Sequence, residues 1–367
     1  MSEINYQQIA ENTQPFERIY RWRGNDPAQA DAIRLGEKAL KSGRVAAVLL
    51  AGGMATRLGN DFPKGLYPIG FNGESFFEIF AGKIHALQKK YGRFVPLYVM
   101  TSDSTDEQTQ AFFQKKKFFG LPEQDVFFFK QGVQGAVDIK TGETLYSAPG
   151  VPAASPDGHG GVLSALKKYQ LLDDMKQRGI ELVCTFQVDN PLIPLADPEF
   201  IGYCLYDDAE ITTMVIRKNS PTEKVGNMVK NNGVVQVIEY SDLPLSCAQK
   251  TNPDGSLVIG LGNIAIHVFR LDFLARVLAN EEFSLPFHTV KKKVPYIDQN
   301  GVLILPTQPN AFKKEKFIFD VFPYAKKIAL VEGDRRLCFS ALKNAPNSTV
   351  DNEETVRADM KACGLFE

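Results

Sequence analysis

From Arg44 onward, short apolar runs alternate with longer amphipathic segments, and this alternation restricts the available folds more than any other feature. A strand-length run followed by a helix-length segment is typical of a mainly parallel sheet covered by helices. The apolar runs cover residues 45–51, 95–100, 125–130 and 182–188. The helix-like segments cover residues 75–91, 103–117 (behind a capping cluster, Thr101-Ser102-Asp103) and 161–178. We therefore predict an α/β fold with a mixed, mainly parallel sheet.

After Asp189 the pattern changes, because strand-like runs at residues 211–217, 234–240 and 263–269 follow one another. The pair Asn232-Gly233 predicts a tight hairpin between two of these strands, which we expect to extend the sheet in mixed fashion. The polar, helix-prone start and the tail rich in Asn, Asp and Glu read as appendages. We predict a helical N-terminal appendage (1–43), a principal domain (44–320) and a C-terminal segment (321–367).

Composition excludes several classes of protein. The 42 basic and 43 acidic residues leave a net charge of -1, which predicts neither nucleic-acid nor membrane-surface binding. Without a signal-like start or about 18 consecutive apolar residues, the chain is expected to be cytoplasmic. The five cysteines form no C-x-x-C pair and the four histidines are dispersed, so we expect reduced thiols and no zinc site. The oligomeric state stays open.

A glycine-rich turn, AGGMATRLG at residues 51–59, follows the first apolar run directly. Consecutive glycines at the end of a buried strand let backbone N–H groups approach an anionic ligand. The spacing fits neither the dinucleotide G-x-G-x-x-G pattern nor the Walker A loop. Arg57 and Lys64 follow, and a guanidinium with an ammonium group suits a triphosphate. The alternative is an ordinary glycine turn with solvated basic residues.

The segment LLAGGMATRLGNDFPKGLYPIG resembles the signature of the UDP-sugar pyrophosphorylases, most closely the eukaryotic-type UDP-N-acetylglucosamine pyrophosphorylases. Later segments agree with the same family, among them FFFKQG, SPDGHGG, FQVDNPL, LGNIAIHVF and FKKEKFIFDVFPYAKK. The resemblance implies the Rossmann-like fold of nucleotide-diphospho-sugar transferases, with residues 44–320 as the catalytic domain. Ala55 departs from the pattern, because it replaces a glycine, and an alanine tolerates this turn only with a negative φ.

The resemblance also implies a nucleotide site formed by Leu50, Ala51, Gly52, Gly53, Lys64, Gln131, Gly158, Asp189 and Lys313. Gln131 and Gly158 would read the uracil edge. Asp189 ends a buried apolar run, where ligands of open α/β sheets bind. The family makes it a Mg²⁺ ligand, with Asp320 as a second candidate. Alternatively, Asp189 is the N-cap of a helix after Pro191.

The catalytic residues implied by the resemblance are four cations that hold phosphates: Arg57, Lys64, Lys313 and Lys343. The implied sugar-phosphate site consists of His159, Glu239, Tyr240, Asn263 and Lys343, the last from the C-terminal segment. N-acetylglucosamine enzymes usually have Asn where this chain has His159, whereas UDP-glucose enzymes commonly have P-G-H-G. His159 therefore weakens the assignment of the sugar. Alternatively, His159 is a solvated loop side chain.

The resemblance implies a uridylyltransferase that converts UTP and N-acetylglucosamine-1-phosphate into UDP-N-acetylglucosamine and pyrophosphate, with Mg²⁺ as cofactor. One alternative is activity on glucose-1-phosphate or on a broad range of sugar phosphates. A second is a catalytically silent UDP-sugar-binding protein, because binding and catalysis use the same loop. A dinucleotide-binding oxidoreductase would share the sheet type, but the missing G-x-G-x-x-G pattern disfavours it.

Overall fold

The computed structural model describes residues 5–364. The strands are β1 (Tyr20–Arg21), β2 (Val45–Leu50), β3 (Leu97–Thr101), β4 (Val126–Lys130), β5 (Val133–Gly135), β6 (Val137–Asp138), β7 (Tyr146–Ala148), β8 (Val151–Pro152), β9 (Ala154–Pro156), β10 (Leu182–Gln187), β11 (Ile211–Arg217), β12 (Gly226–Asn231), β13 (Val234–Ile238), β14 (Leu261–Arg270), β15 (His288–Lys292), β16 (Tyr296–Ile297), β17 (Leu303–Ile304), β18 (Ala311–Glu315) and β19 (Ile328–Glu332).

The α-helices are α1 (Tyr6–Glu11), α2 (Gln29–Lys41), α3 (Phe76–Tyr91), α4 (Asp106–Lys115), α5 (Gly161–Lys168), α6 (Leu171–Gln177), α7 (Pro198–Tyr206), α8 (Leu245–Ala248), α9 (Leu271–Ala279), α10 (Arg335–Cys338) and α11 (Glu353–Ala362). Short 3₁₀ helices lie at Thr56–Leu58, Lys64–Leu66, Lys117–Gly120, Glu123–Asp125 and Ile318–Tyr324. Among residues 5–364, no helix combines the length and the apolar character needed to cross a membrane.

The main sheet has the strand order β1-β19-β11-β14-β10-β2-β3-β4. All neighbours in this order are parallel except β14, which is antiparallel to both β10 and β11. The hairpin β12-β13 joins the sheet through β14. The prediction of a mixed, mainly parallel sheet is therefore confirmed. So is the hairpin turn, since Asn232 and Gly233 have φ values of 50° and 79° between paired strands.

Both faces of the sheet are covered, as β2 illustrates. All six of its residues are buried. Val45, Ala47 and Leu49 belong to one hydrophobic core, which includes residues of α2, α3 and α7, whereas Ala46 and Val48 belong to a second core with residues of α5, α6 and α9. Successive side chains of a strand point to opposite faces, so an uninterrupted apolar run places a strand between two layers of helices.

The predicted helices form with two corrections. The segment 161–178 is not one helix but two, α5 and α6, separated at Gln170, whose φ is 56°. Leu171 lies five residues after Leu166, about 140° further round a continuous helix, and the break lets both side chains reach the same core. Helix α4 begins at Asp106, later than predicted, because residues 102–105 form a turn in which the Thr105 and Asp106 N–H groups both donate to the Ser102 carbonyl.

The first and last parts of the chain both contribute to the main sheet. Strand β1 pairs with β19 at the sheet edge, and Tyr20 is buried. Helix α2 packs along α7. Three smaller strands, β6, β15 and β18, form a separate sheet in the order β15-β18-β6. The division at residues 43 and 320 stays a prediction.

Candidate functional site

A cavity of about 330 Å³ lies at the carboxyl ends of the parallel strands. Leu50 ends β2, Gln187 ends β10, and Gln131 follows β4, so three strands deliver side chains to one edge. The lining residues are Leu50, Gly52, Gly53, Lys64, Met100, Gln131, Ser155, Pro156, Gly158, His159, Gln187, Val188, Asp189, Lys313 and Glu315. The predicted nucleotide site is thus brought together, except that Ala51 is fully buried behind the lining.

The glycine turn forms part of the cavity wall, and Gly52 packs closely against Gln131 there. A Cβ atom at Gly52 would lie 2.4 Å from Gln131 Nε2, so a larger residue would displace the amide. The Ser102 hydroxyl donates to the Gly52 carbonyl at 2.9 Å, and Lys64 N–H donates to the Gly53 carbonyl at 2.9 Å. These bonds fix the turn between the neighbouring strand end and the lysine that follows it.

Ala55 fits the turn without backbone strain. Its φ is -86°, in the region open to any L-residue, and its methyl group is fully buried in the core. Its N–H donates to the Phe62 carbonyl at 2.9 Å. Ala55 therefore has the negative φ that an alanine needs in this turn, and this position does not require glycine.

Lys64 and Asp189 form an ion pair in the cavity lining. Lys64 Nζ lies 3.8 Å from Asp189 Oδ2, with side-chain exposures of 17% and 13%. Lys64 Nζ also donates to the Leu342 carbonyl at 3.2 Å, and Leu342 N–H donates to the Asp189 carbonyl at 2.9 Å. The C-terminal segment thus holds the lysine and the carboxylate in one arrangement, with an ammonium group placed to meet an anionic ligand.

Asp189 does not cap a helix. The next helix, α7, begins at Pro198 and has Asp197 as its N-cap. The loop after Asp189 is held by Asn190, whose amide donates to the Cys338 carbonyl at 2.8 Å and accepts from Leu192 and Ser340 N–H. The alternative interpretation of Asp189 is therefore wrong, and its carboxylate stays available to a ligand.

His159 is not a solvated loop side chain. Its Nδ1 accepts a hydrogen bond from Ile318 N–H at 3.1 Å, and its ring stacks on Phe317 with centroids 5.2 Å apart. Burial, with the charge of His288 as a smaller cause, lowers the pKa of His159 to about 4. The ring is therefore neutral near pH 7, and because Nδ1 accepts, its proton is on Nε2. His159 offers one N–H donor at the cavity wall.

Gly158 takes a backbone conformation that favours glycine. Its φ is +86°, and a Cβ atom there would lie 2.4 Å from the Lys316 carbonyl oxygen. The backbone between Pro156 and His159 therefore lies directly against the end of β18. Gly158, the predicted uracil contact, therefore packs against the strand that contains Lys313.

The predicted sugar-phosphate residues other than His159 lie outside the cavity lining: Glu239, Tyr240, Asn263 and Lys343. Asn263 uses its amide within the protein, donating to the Thr213 hydroxyl and accepting from Ala265 N–H. Glu239 lies near Asn263, since a Cβ atom at Gly226 would be 3.6 Å from Asn263 Cβ and 3.7 Å from Glu239 Oε2. Burial, then the charge of Asp242, raises the pKa of Glu239 to about 7. Lys343 is near enough for its charge to oppose this rise.

Arg57 and Asp320 are placed differently from the expectation. Arg57 is exposed on a 3₁₀ turn and does not line the cavity. Asp320 Oδ2 lies 2.8 Å from His288 Nε2, and His288 Nδ1 lies 3.4 Å from Asp242 Oδ2. This placement gives no support to Asp320 as a metal ligand beside Asp189, because its carboxylate is held by an imidazole instead.

The ion pairs of His288 predict a pH-dependent contribution to stability. Burial alone would lower the pKa of His288, but hydrogen bonds to Asp242 and Asp320 outweigh it and raise the pKa to about 9. An unfolded histidine titrates near 6.5. A raised pKa stabilises the fold fully below the unfolded value, and this contribution is lost as pH rises through the folded value.

We therefore expect the difference in free energy of unfolding between the unmodified protein and His288→Gln to be constant below about pH 6 and to shrink up to pH 9. Urea unfolding across this range measures it. A difference that does not change with pH would show that His288 is neutral in the fold.

Several lining residues were missed from the sequence: Met100, Ser155, Pro156, Gln187, Val188 and Glu315. Glu315 had a usable signal, because it lies two residues after Lys313 in a strand and side chains two apart share a face. Ser155 and Pro156 lie in the motif SPDGHGG, and Gln187 and Val188 lie in FQVDNPL, so the resemblance pointed to these segments without assigning these four residues a role.

The described residues offer part of a magnesium site. Between residues 5 and 364, no cluster of three or more His, Cys, Asp or Glu side chains is arranged to hold a metal ion. Mg²⁺ in phosphate-transfer sites is typically bound by one or two carboxylates together with substrate phosphates and water. Asp189, a carboxylate in the cavity lining next to Lys64, fits this arrangement.

Residues 8–346 match the UTP–glucose-1-phosphate uridylyltransferase family. The chain belongs to this family. Among its relatives, UDP-N-acetylhexosamine pyrophosphorylase-like protein 1 of Xenopus tropicalis is 40% identical over 88% of this chain and 65% of its own length. UDP-N-acetylglucosamine pyrophosphorylase of Saccharomyces cerevisiae is 40% identical over 91% of this chain and 72% of its own length. The chain therefore spans about two thirds of the length of such relatives.

A solved structure of a candidate UDP-N-acetylglucosamine pyrophosphorylase from Entamoeba histolytica superposes with a TM-score of 0.87 at 33% identity. It covers 95% of this chain and 88% of that one. Membership of the uridylyltransferase family confirms the resemblance read from the glycine turn and the later motifs. The individual roles of the site residues stay predictions.

Proposed function

We propose that the chain is a uridylyltransferase that converts UTP and N-acetylglucosamine-1-phosphate into UDP-N-acetylglucosamine and pyrophosphate. The observation that carries the proposal is one cavity lined jointly by the glycine turn, Lys64, Gln131, Asp189 and Lys313. This set combines an amide that can bind the uracil base, cations that can bind phosphates and a carboxylate that can bind Mg²⁺. The names of the yeast relative and the Entamoeba neighbour support the N-acetylated sugar.

The reaction needs no activated side-chain nucleophile, because a sugar phosphate already carries an anionic oxygen. That oxygen attacks the α-phosphorus of UTP, the bond to the β-phosphate oxygen breaks, and pyrophosphate leaves in line. The protein has to align the two anions and offset their charge. Lys64 and Lys313 both line this cavity, which supports a role for Lys64 in holding the departing phosphates and for Lys313 in offsetting charge at the α-phosphate.

Burial lowers the pKa of Lys313, and the charge of Glu315 opposes this. A phosphate nearby adds a further opposing charge, so nucleotide binding favours the ammonium form. Asp189 would hold Mg²⁺, which when bound neutralises phosphate charge and orients the oxygens. Arg57 and Lys343 lie outside the lining, and contacts between them and phosphates stay predictions.

The proposal is tested by incubating the purified chain with UTP, Mg²⁺ and one sugar-1-phosphate at a time and measuring pyrophosphate release. We expect release with N-acetylglucosamine-1-phosphate to exceed release with glucose- or galactose-1-phosphate. Release with none of them would contradict the proposal. Binding of UDP-N-acetylglucosamine without pyrophosphate release would favour the silent binding protein.

Activity on glucose-1-phosphate is the second candidate, and His159 is the observation that favours it. Its Nε2–H can donate to a sugar hydroxyl, whereas an asparagine amide both donates and accepts, as an acetamido group requires. We expect His159→Asn to raise the kcat/KM ratio of N-acetylglucosamine-1-phosphate over glucose-1-phosphate by about 10-fold.

The matched control is His85→Asn, since His85 lies outside the cavity and bonds to the Phe119 carbonyl. Steady-state kinetics with both sugars measure the ratio for each variant. A ratio unchanged by His159→Asn would show that this side chain does not touch the discriminating part of the sugar.

A further inference from the structure

Glu315 is a carboxylate in a cavity proposed to bind a polyanion, and no phosphate explains it. It ends β18 and lines the cavity together with Lys313. Within residues 5–364 its side chain makes no hydrogen bond and no ion pair, although its charge acts on Lys313. An uncommitted carboxylate here would repel phosphates, so it calls for a ligand group that donates hydrogen bonds.

The positions of Gly158, Glu315 and Lys313 can be compared with the order of base, ribose and phosphate in a nucleotide. A Cβ atom at Gly158, the predicted uracil reader, would lie 3.1 Å from Glu315 Cβ. Lys313, the predicted phosphate contact, lies two residues earlier, about 6.6 Å along the strand and on the same face. Glu315 therefore lies beside the predicted base contact, on the side of it that leads along β18 to the predicted phosphate contact, and a nucleotide has its ribose between these two groups.

The chemistry of UTP offers few donors to a carboxylate. The phosphates accept only, and the uracil edge, with its single N–H, is assigned to Gln131 and Gly158. The remaining donors are the 2′- and 3′-hydroxyls of the ribose, and the two oxygens of one carboxylate can accept from both. Dinucleotide-binding folds use an acidic residue on the ribose hydroxyl in the same way.

We propose that Glu315 binds the ribose diol of UTP and makes the site selective for ribonucleotides over 2′-deoxyribonucleotides. The proposal rests on the proposed use of UTP by this cavity. Because dUTP lacks the 2′-hydroxyl, it makes one hydrogen bond fewer to the Glu315 carboxylate. A hydrogen bond to a charged group contributes enough free energy that the unmodified protein is expected to prefer UTP to dUTP by at least about 10-fold.

The test compares Glu315→Gln with the unmodified protein, using dissociation constants from calorimetry and kcat/KM, each for UTP and dUTP. Glutamine keeps the length of the side chain but removes the charge and one acceptor oxygen. We expect the preference for UTP to fall to about 3-fold or less. Any general effect of the lost charge on Lys313 acts on both nucleotides and cancels in the ratio. Glu107→Gln, an exposed carboxylate outside the cavity, is the matched control.

A preference for UTP that Glu315→Gln leaves unchanged would overturn the proposal. So would a variant with an unchanged preference that needs more Mg²⁺, because Glu315 would then act on the metal. The binding measurements separate this inference from the proposed function. If both nucleotides bind with the expected selectivity but no pyrophosphate is released, the activity fails and the role of Glu315 stands.

Discussion

Lys64→Ala is expected to lower kcat/KM for UTP by about 100-fold without unfolding the protein. The ammonium group lies at the cavity wall, 3.8 Å from Asp189 Oδ2, and donates to the Leu342 carbonyl. Its loss removes a charge that offsets the departing phosphates and leaves Asp189 to repel them. Steady-state pyrophosphate release measures the loss.

The matched control is Lys140→Ala, because Lys140 is exposed and lies outside the cavity lining. Thermal unfolding of both variants separates lost chemistry from lost structure. A folded Lys64→Ala variant with nearly normal kcat/KM would remove this lysine from the proposed mechanism.

Asp189→Asn is expected to lower kcat by about 1,000-fold and to raise the Mg²⁺ concentration needed for half-maximal activity. The amide keeps the shape of the side chain but removes the charge that would hold the ion. It also removes the ionic partner of Lys64. Titration of activity with Mg²⁺, together with calorimetric binding of UTP with and without the ion, measures both effects.

Asp320→Asn discriminates between the two carboxylates proposed from the sequence. Asp320 pairs with His288, so its replacement is expected to reduce stability and leave the Mg²⁺ concentration for half-maximal activity unchanged. If Asp320→Asn instead shifts the Mg²⁺ requirement and Asp189→Asn does not, the ligand assignment is reversed.

The sheet could be predicted because its central strands β2, β3 and β10 are buried on both faces and therefore mostly apolar. The edge of the sheet at which the cavity lies followed from the same argument, since Asp189 and the glycine turn follow two such strands. The break at Gln170 could not be predicted from the helical character of residues 161–178, because it depends on which core the later leucine has to reach.

Some positions in the site could be predicted from the sequence and others could not. Gln131, Gly158 and Lys313 follow ordered motifs and line the cavity as expected. The partner of Asp320 could not be inferred, because His288 reaches it through the pairing of β15 with β18. Glu315 was overlooked because the resemblance assigned a role only to Lys313 in this segment, although alternation along the strand places both side chains on one face.

The contacts of Leu342 have a consequence for the order of events during protein synthesis. The bond between Lys64 Nζ and the Leu342 carbonyl joins residues 278 positions apart. A growing chain that has emerged from the ribosome only as far as β19 contains every strand of the main sheet, but it lacks the carbonyl that holds this lysine. Lys64 can meet this partner only after the segment that follows the last strand of the sheet has also emerged. We therefore expect a nascent chain that ends at β19 to bind nucleotide more weakly than the chain that includes Leu342.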